Sequence, residues 1–283
     1  MLIAVASLKG SPGVTTFSLA LASRWPAPAR TALMEIDPSG GDVATRFCLP
    51  PSPGLLSLAV AARTSTDHAV LWQHAHALPG GLSAVIAPPD ADLTQAALCT
   101  LTSNSSTENI FRSAARDSGT VMIADCGRID HSSAAMHVVR QADALVLLTR
   151  AHADNLAHLT RRLPAAAAWT PHPVLLLVGN GYATADVAHE LGVMPLGRIP
   201  HDPRGADVLC GLPPGSRWRS SEPSRSPLGR YAYNIAVELQ SRIARRPSLS
   251  LITGTSPEPT LSPASRRPAD DAFSGHFSWT GVL

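Results

Sequence analysis

The chain is nearly devoid of lysine. Of its 23 basic side chains all but one are arginine, and the exception is Lys9. Cysteine is also sparse: Cys48, Cys99, Cys126 and Cys210 are scattered, with no C-x-x-C pair and no His/Cys cluster at ligand spacing. That pattern excludes a disulfide framework or a zinc ribbon and suits free thiols in a reducing compartment. His68, His74 and His76 have helical spacing but no acidic or thiol residues placed to complete a metal site. No apolar run reaches the roughly 18–20 residues of a membrane helix. No basic segment followed by an apolar one opens the chain, so the expected location is the cytoplasm. Charged residues make up 16% and the formal net charge is +2, which gives no global field to draw in nucleic acid.

Apolar residues are plentiful, at 45% of 283 residues, enough for one large α/β domain. The preference for arginine, alanine and proline reads as the drift of a GC-rich genome. A lysine retained against that drift marks a place where a compact ammonium fits and a planar guanidinium does not.

Short apolar runs alternate with helical patterns as far as about residue 210. Strands are expected at 2–8, 31–36, 82–87, 120–125, 144–149, 174–179 and 195–199. Helices are expected at 14–25, 53–63, 90–101, 105–117, 130–141, 152–168 and 184–191. The strand candidates are apolar throughout, as in a parallel sheet buried on both faces. Strand-helix alternation then predicts an α/β fold with a doubly wound, mostly parallel sheet flanked by helices. A Pro/Ser/Arg-rich loop (213–227) precedes a last helix over 228–246, with Leu228, Ala232, Ile235, Leu239 and Ile243 on one face. Residues 1–246 are expected to form one nucleotide-binding domain. The Pro/Ser/Thr-rich stretch 247–283 is expected to be a disordered tail, with a more apolar end, "FSGHFSWTGVL", suited to docking.

The segment "SLKGSPGVTT" (7–16) follows the first strand and opens the first helix. Backbone N–H groups at a helix start, with the helix dipole behind them, form a natural anion site. Gly10 and Gly13 let the backbone wrap closely round phosphates. Thr15 or Thr16 offers the hydroxyl that holds Mg²⁺ in phosphate-binding loops. The usual G-x-x-x-x-G-K-[ST] pattern is not met, because Leu8 replaces the first glycine and Val14 the lysine.

"KGSPGVTT" resembles the deviant phosphate-binding loop of the ParA/MinD superfamily, whose usual form is K-G-G-x-G-K-T/S. The resemblance implies a P-loop fold of that type, binding ATP and Mg²⁺ and forming a nucleotide-sandwich homodimer. Lys9 matches the signature lysine that reaches the partner subunit's phosphates, Gly10 and Gly13 match two glycines, and Thr15 matches the Mg²⁺ hydroxyl. Ser11 stands for a glycine, Pro12 at the variable position, and Val14 for the lysine acting within one subunit. "ALMEIDPSGGD" (32–42) is similar to the family's switch I, with Asp37 matching the carboxylate that orients water and Glu35 in place of an earlier aspartate. "VMIADCGR" (121–128) resembles the Walker B strand and switch II, with Asp125 as the Mg²⁺ partner. "LGVMPLGRIPHDP" (191–203) resembles the late loop near the base, which assigns Pro200 and Asp202 to the nucleotide, with Asn180 a further candidate. Read without the resemblance, Asp125 could end a strand and cap a helix, "DPSGGD" could be a turn, and Cys126 could be a small buried side chain.

Replacing the lysine by valine should weaken phosphate binding about ten- to a hundredfold and slow phosphoryl transfer further. Arg128, next to the switch II match, is the candidate replacement cation. Three functions follow. The first is a nucleotide-dependent dimer switch that positions a chromosome or plasmid, a division site, a flagellum or a pilus. The second is a non-enzymatic scaffold for pilus or secretion assembly, as in TadZ/CpaE-like relatives. The third is a partition protein holding DNA nonspecifically through Arg217, Arg219, Arg225, Arg230, Arg242, Arg245 and Arg246.

Overall fold

A computed structural model describes residues 1–103, 109–209, 211 and 226–245. The tail at 247–283, Cys210 and the arginines 217, 219, 225 and 246 lie outside the described residues.

The strands are β1 (Leu2–Ser7), β2 (Arg30–Glu35), β3 (His76–Ala77), β4 (Ser83–Val85), β5 (Thr120–Arg128), β6 (Ala144–Ala151), β7 (His172–Gly181) and β8 (Gly197–Ile199). The helices are α1 (Val14–Ser23), α2 (Val43–Arg46), α3 (Leu55–Ala61), α4 (Ala69–Gln73), α5 (Ala91–Ser103), α6 (Ile110–Arg116), α7 (Met136–Val139), α8 (Ala153–Ala167), α9 (Thr184–Leu191), α10 (Pro203–Leu209) and α11 (Pro227–Ala244). They build one sheet in the order β3-β4-β2-β5-β1-β6-β7-β8. All its ladders are parallel except the short β3–β4 pair.

The apolar strands alternate their side chains between two cores, as period-2 geometry requires. Leu2, Ala4 and Ala6 of β1 enter one core with Leu58, Leu98, Phe111, Val138 and Leu159. Ile3 and Val5 enter the other with Phe17, Leu21, Ala232, Ile235 and Leu239. Both faces of β1 are fully buried. The expected face of the last helix packs as patterned: Leu228, Ala232, Ile235 and Leu239 are buried and Ile243 is partly so.

β1 lies at the centre, between β5 and β6. From there the chain winds outward through β2 on one side and through β6 on the other, which puts the switch point of the winding at the carboxyl end of β1. Crevices at such points are where open α/β sheets bind ligands.

The structure also departs from the predicted elements. The helix expected over 130–141 contracts to α7, because an Asp130-based turn occupies its start: the Asp130 carboxylate accepts from the Ser132 N–H at 2.8 Å. β3, α2, α4 and α10 were not anticipated, since two- to seven-residue elements carry too few apolar positions to show a period.

Candidate functional site

The loop leaves β1 and turns into α1 with two glycines in the left-handed region, Gly10 at φ 71° and Gly13 at φ 93°. Gly13 is the N-cap of α1, and no side chain caps that end. The first-turn N–H groups therefore face the loop. Ser7 braces the turn from below, its hydroxyl donating to the Gly10 carbonyl at 3.2 Å.

Lys9 is half-buried and makes no ion pair with the described residues. Ser11 is exposed, whereas Pro12 is buried. Val14 is 5% exposed and packs in the core beside Ile3, Val5 and Phe17. The position that carries an ammonium in the usual loop is thus filled by an anchoring apolar side chain.

Behind the loop stand three carboxyl groups. Asp125, near the end of β5, is 1% exposed. It accepts hydrogen bonds from the Thr15 hydroxyl and from the Gly127 N–H. Burial, then the charges of Glu35 and Asp37, push its pKa up to about 7 against the pull of those donors. Asp37 follows β2, and its carboxylate accepts from the Ser39 N–H at 2.9 Å. Burial raises its pKa too, and the Arg128 guanidinium is among the groups that oppose the rise. Asp37 lies against Gly127, so closely that a Cβ there would collide with the Asp37 carboxylate. The glycine (φ 57°) therefore admits the Asp37 carboxylate to the end of β5.

Glu35 plays a different part. Its Oε1 accepts from the N–H groups of Asp42 and Val43 at 2.8 and 2.9 Å, and its Oε2 from Ala87 at 3.0 Å. At 2% exposure it fastens the loop after β2 to the end of β4, and burial raises its pKa.

This donor set fits a hard cation. The Thr15 hydroxyl bonds the Asp125 carboxylate, and the nearby charges of Glu35 and Asp37 oppose that carboxylate's charge, which a cation would relieve. Among the described residues no cluster of three or more His, Cys, Asp or Glu forms a ready-made metal cage. Such a sparse set suits Mg²⁺, which keeps waters and phosphate oxygens in its shell.

Beside the loop opens a cavity of about 280 Å³, lined by Pro12, Gly13, Thr16 and Phe17 of the loop and α1, and by Val178, Ile199, Pro200 and Asp202 among others opposite. Pro200 and Asp202 therefore reach the cavity, whereas Asn180 is exposed and does not line it. The Asp202 carboxylate already serves the frame: Oδ1 accepts from the Gly205 N–H at 2.9 Å in α10, and Oδ2 from the Leu228 N–H at 3.0 Å in α11. Two residues to which the sequence assigned no role support this region. Arg198 donates to the Gly179 and Tyr182 carbonyls, which holds the turn after β7. Asn155, in the first turn of α8, faces Gly10. Arg198 lies within the 191–203 stretch, on β8 beside β7, whereas Asn155 falls in no motif.

The remaining candidates are accounted for locally. His68 contacts Asp67 and Asp117, His74 bonds Ser57, and His76 bonds the Pro53 carbonyl, so the three histidines serve separate contacts. Cys126 is buried, and burial pushes its thiol well above the usual range. Of the described arginines in the basic set, Arg242 pairs with Glu238 at 2.7 Å, and Arg230 and Arg245 are exposed. No helix among the described residues is long and apolar enough to cross a membrane.

No protein-family model and no curated protein matches the chain. Solved structures do. A ParA family ATPase from Chlorobium tepidum superposes with a TM-score of 0.61 at 15% identity, covering 83% of this chain and 97% of that one. The cell division ATPase MinD of Pyrococcus furiosus gives 0.60 at 16% identity, covering 85% and 98%. Cobyrinic acid a,c-diamide synthase from Mycobacterium smegmatis, solved with an ATP analog and magnesium, gives 0.54 at 15% identity, covering 86% and 96%. Identities this low speak for architecture alone: the chain shares the P-loop fold of the ParA and MinD ATPases.

Proposed function

We propose that this protein is a nucleotide-binding switch of ParA/MinD type that takes Mg·ATP, dimerises through it and hydrolyses it slowly or not at all. One observation carries the reading. The glycine loop, the Thr15–Asp125 pair and the cavity at Pro200 lie along one edge of the sheet, at the switch point of the winding. In this reading the cavity receives the nucleoside and the loop amides and Lys9 receive phosphate. Thr15 and Asp125 hold Mg²⁺, which would neutralise phosphate charge. Asp37, beside Gly127, orients water. The structure solved with an ATP analog and magnesium supports the ligand class.

The buried Val14 argues for binding over turnover. A within-subunit ammonium stabilises charge on a transferring phosphoryl group, and an apolar anchor does not. Lys9, with no ion pair among the described residues, is free to reach a second subunit's phosphates. Nucleotide-linked dimerisation is then the activity retained, in the service of placing a cargo such as a chromosome, a division site or a pilus in the cytoplasm. Arg128, on the flank of Asp37, is the cation available to compensate.

The test is the solution mass of the chain by light scattering with and without Mg·ATP. Mg·ATP is expected to convert monomer to dimer. Lys9→Ala should abolish that step, and Arg128→Ala should weaken Mg·ATP binding while leaving the mass of the saturated protein unchanged. Val14, packed as core, also favours a second reading, a scaffold that assembles without nucleotide. One mass in every condition, with no nucleotide bound, would establish that scaffold and remove the switch.

A further inference from the structure

Among the polar side chains that the nucleotide reading does not use, Asn155 is the one that faces the loop. Asn155 is 8% exposed. Its side chain makes no hydrogen bond with any described residue. The residue is buried as a whole, yet its amide atoms are not among the fully enclosed ones, so the amide stands open to an incoming partner. Its amide faces the loop: a Cβ built on Gly10 would lie 3.9 Å from Asn155 Nδ2 and meet nothing else within 4 Å. Gly10 follows Lys9 directly and is itself exposed.

The helix that carries Asn155 adds to the case. α8 is fifteen residues long, and its N-cap, His152, makes no side-chain capping bond. The N–H groups of its first turn are therefore unsatisfied from within, and the dipole leaves positive potential at that end. Asp154 in the same turn opposes this, but it is exposed, where solvent screens it. The cavity lies on the Pro12–Gly13–Thr16 flank of the loop, and Gly10 is on the other. A nucleotide whose base occupies the cavity lays its distal phosphate towards Gly10.

We infer that Asn155, at the open N-terminus of α8, is a ligand-binding residue that donates to the terminal phosphoryl group of a nucleoside triphosphate. The inference rests on the nucleotide reading above. It adds a specificity, since a diphosphate has no group at that position and gains nothing from Asn155.

The full-length chain is titrated with Mg·ATP and with Mg·ADP by calorimetry, as wild type, Asn155→Leu and Asn155→Asp. The leucine keeps the volume and removes the donor, while the aspartate keeps the shape and opposes phosphate with charge. Asn155→Leu should lose roughly ten- to a hundredfold in ATP affinity, the size of one hydrogen bond to a charged group. Asn155→Asp should lose more, and ADP affinity should stay within about twofold for Asn155→Leu. An unchanged ratio of ATP to ADP affinity in both variants overturns the inference, since a side chain that merely supports the loop would alter both ligands alike. Unfolding midpoints without nucleotide identify any variant that does not fold, in which case the isosteric aspartate carries the test. A wild type that binds neither nucleotide defeats the underlying reading as well, and does so before any variant is compared.

Discussion

Asp125 is a carboxyl group whose surroundings work against its charge. Burial dominates, and Glu35 and Asp37 add repulsion, so its folded pKa is near 7 against 3.8 as a free side chain. The sign follows from proton linkage. Between those two values the folded chain holds a proton that the unfolded chain has lost, so this contribution is complete below about pH 4 and is lost as pH rises through 7. In chelator, Asp125→Asn should therefore be more stable than wild type at pH 8, by on the order of a few kcal/mol. The difference should vanish near pH 4 in denaturant titrations at the two pH values. A destabilised variant at pH 8 would mean that the Thr15 and Gly127 donors outweigh burial. Val14 teaches a complementary lesson. The sequence showed the loss of a lysine, and the structure adds that its replacement is part of the core beside Phe17.

At the scale of elements, the site is held by side chains that tie one segment to another. Glu35 joins the loop after β2 to the end of β4 through three backbone amides. Asp202 caps α10 and α11 at once. Asp202→Ala removes both acceptors and should destabilise the chain by roughly 1–3 kcal/mol, read from denaturant midpoints. Because α10 and the residue before it line the cavity, nucleotide affinity should fall with it, while Asn180→Ala, at an exposed position outside the lining, should leave affinity unchanged. The long elements were legible because burial on one or two faces imposes a period. Thus β1, β5, β6 and β7 read as apolar runs, and α11 as a stripe from Leu228 to Leu239. α10 and β3 were not legible, since elements this short are made by their neighbours.

For the whole molecule, a ligand that binds the folded chain alone stabilises it by mass action. Mg·ATP at about a hundred times its dissociation constant should add about 2.7 kcal/mol, seen as a raised melting temperature. Chelation should reverse most of it if Thr15 and Asp125 share a cation with the phosphates, and a melting temperature indifferent to chelator would remove Mg²⁺ from the site.

The sequence by itself determined the architecture and the glycine loop between β1 and α1. Apolar periodicity is a local property, and so is a glycine that must adopt positive φ, as Gly10 and Gly13 do. It also singled out Asp37 and Asp125 as candidates, because each sits in a short contiguous pattern. Only the tertiary structure decided what those groups face. It set Asp37 against Gly127 from another strand, spent Asp202 on two helix ends, turned Asn180 outward, and brought Asn155 to Gly10 across about 145 residues of chain. Those contacts follow from strand order and register, which depend on packing the whole sheet and leave no mark in any one stretch of sequence.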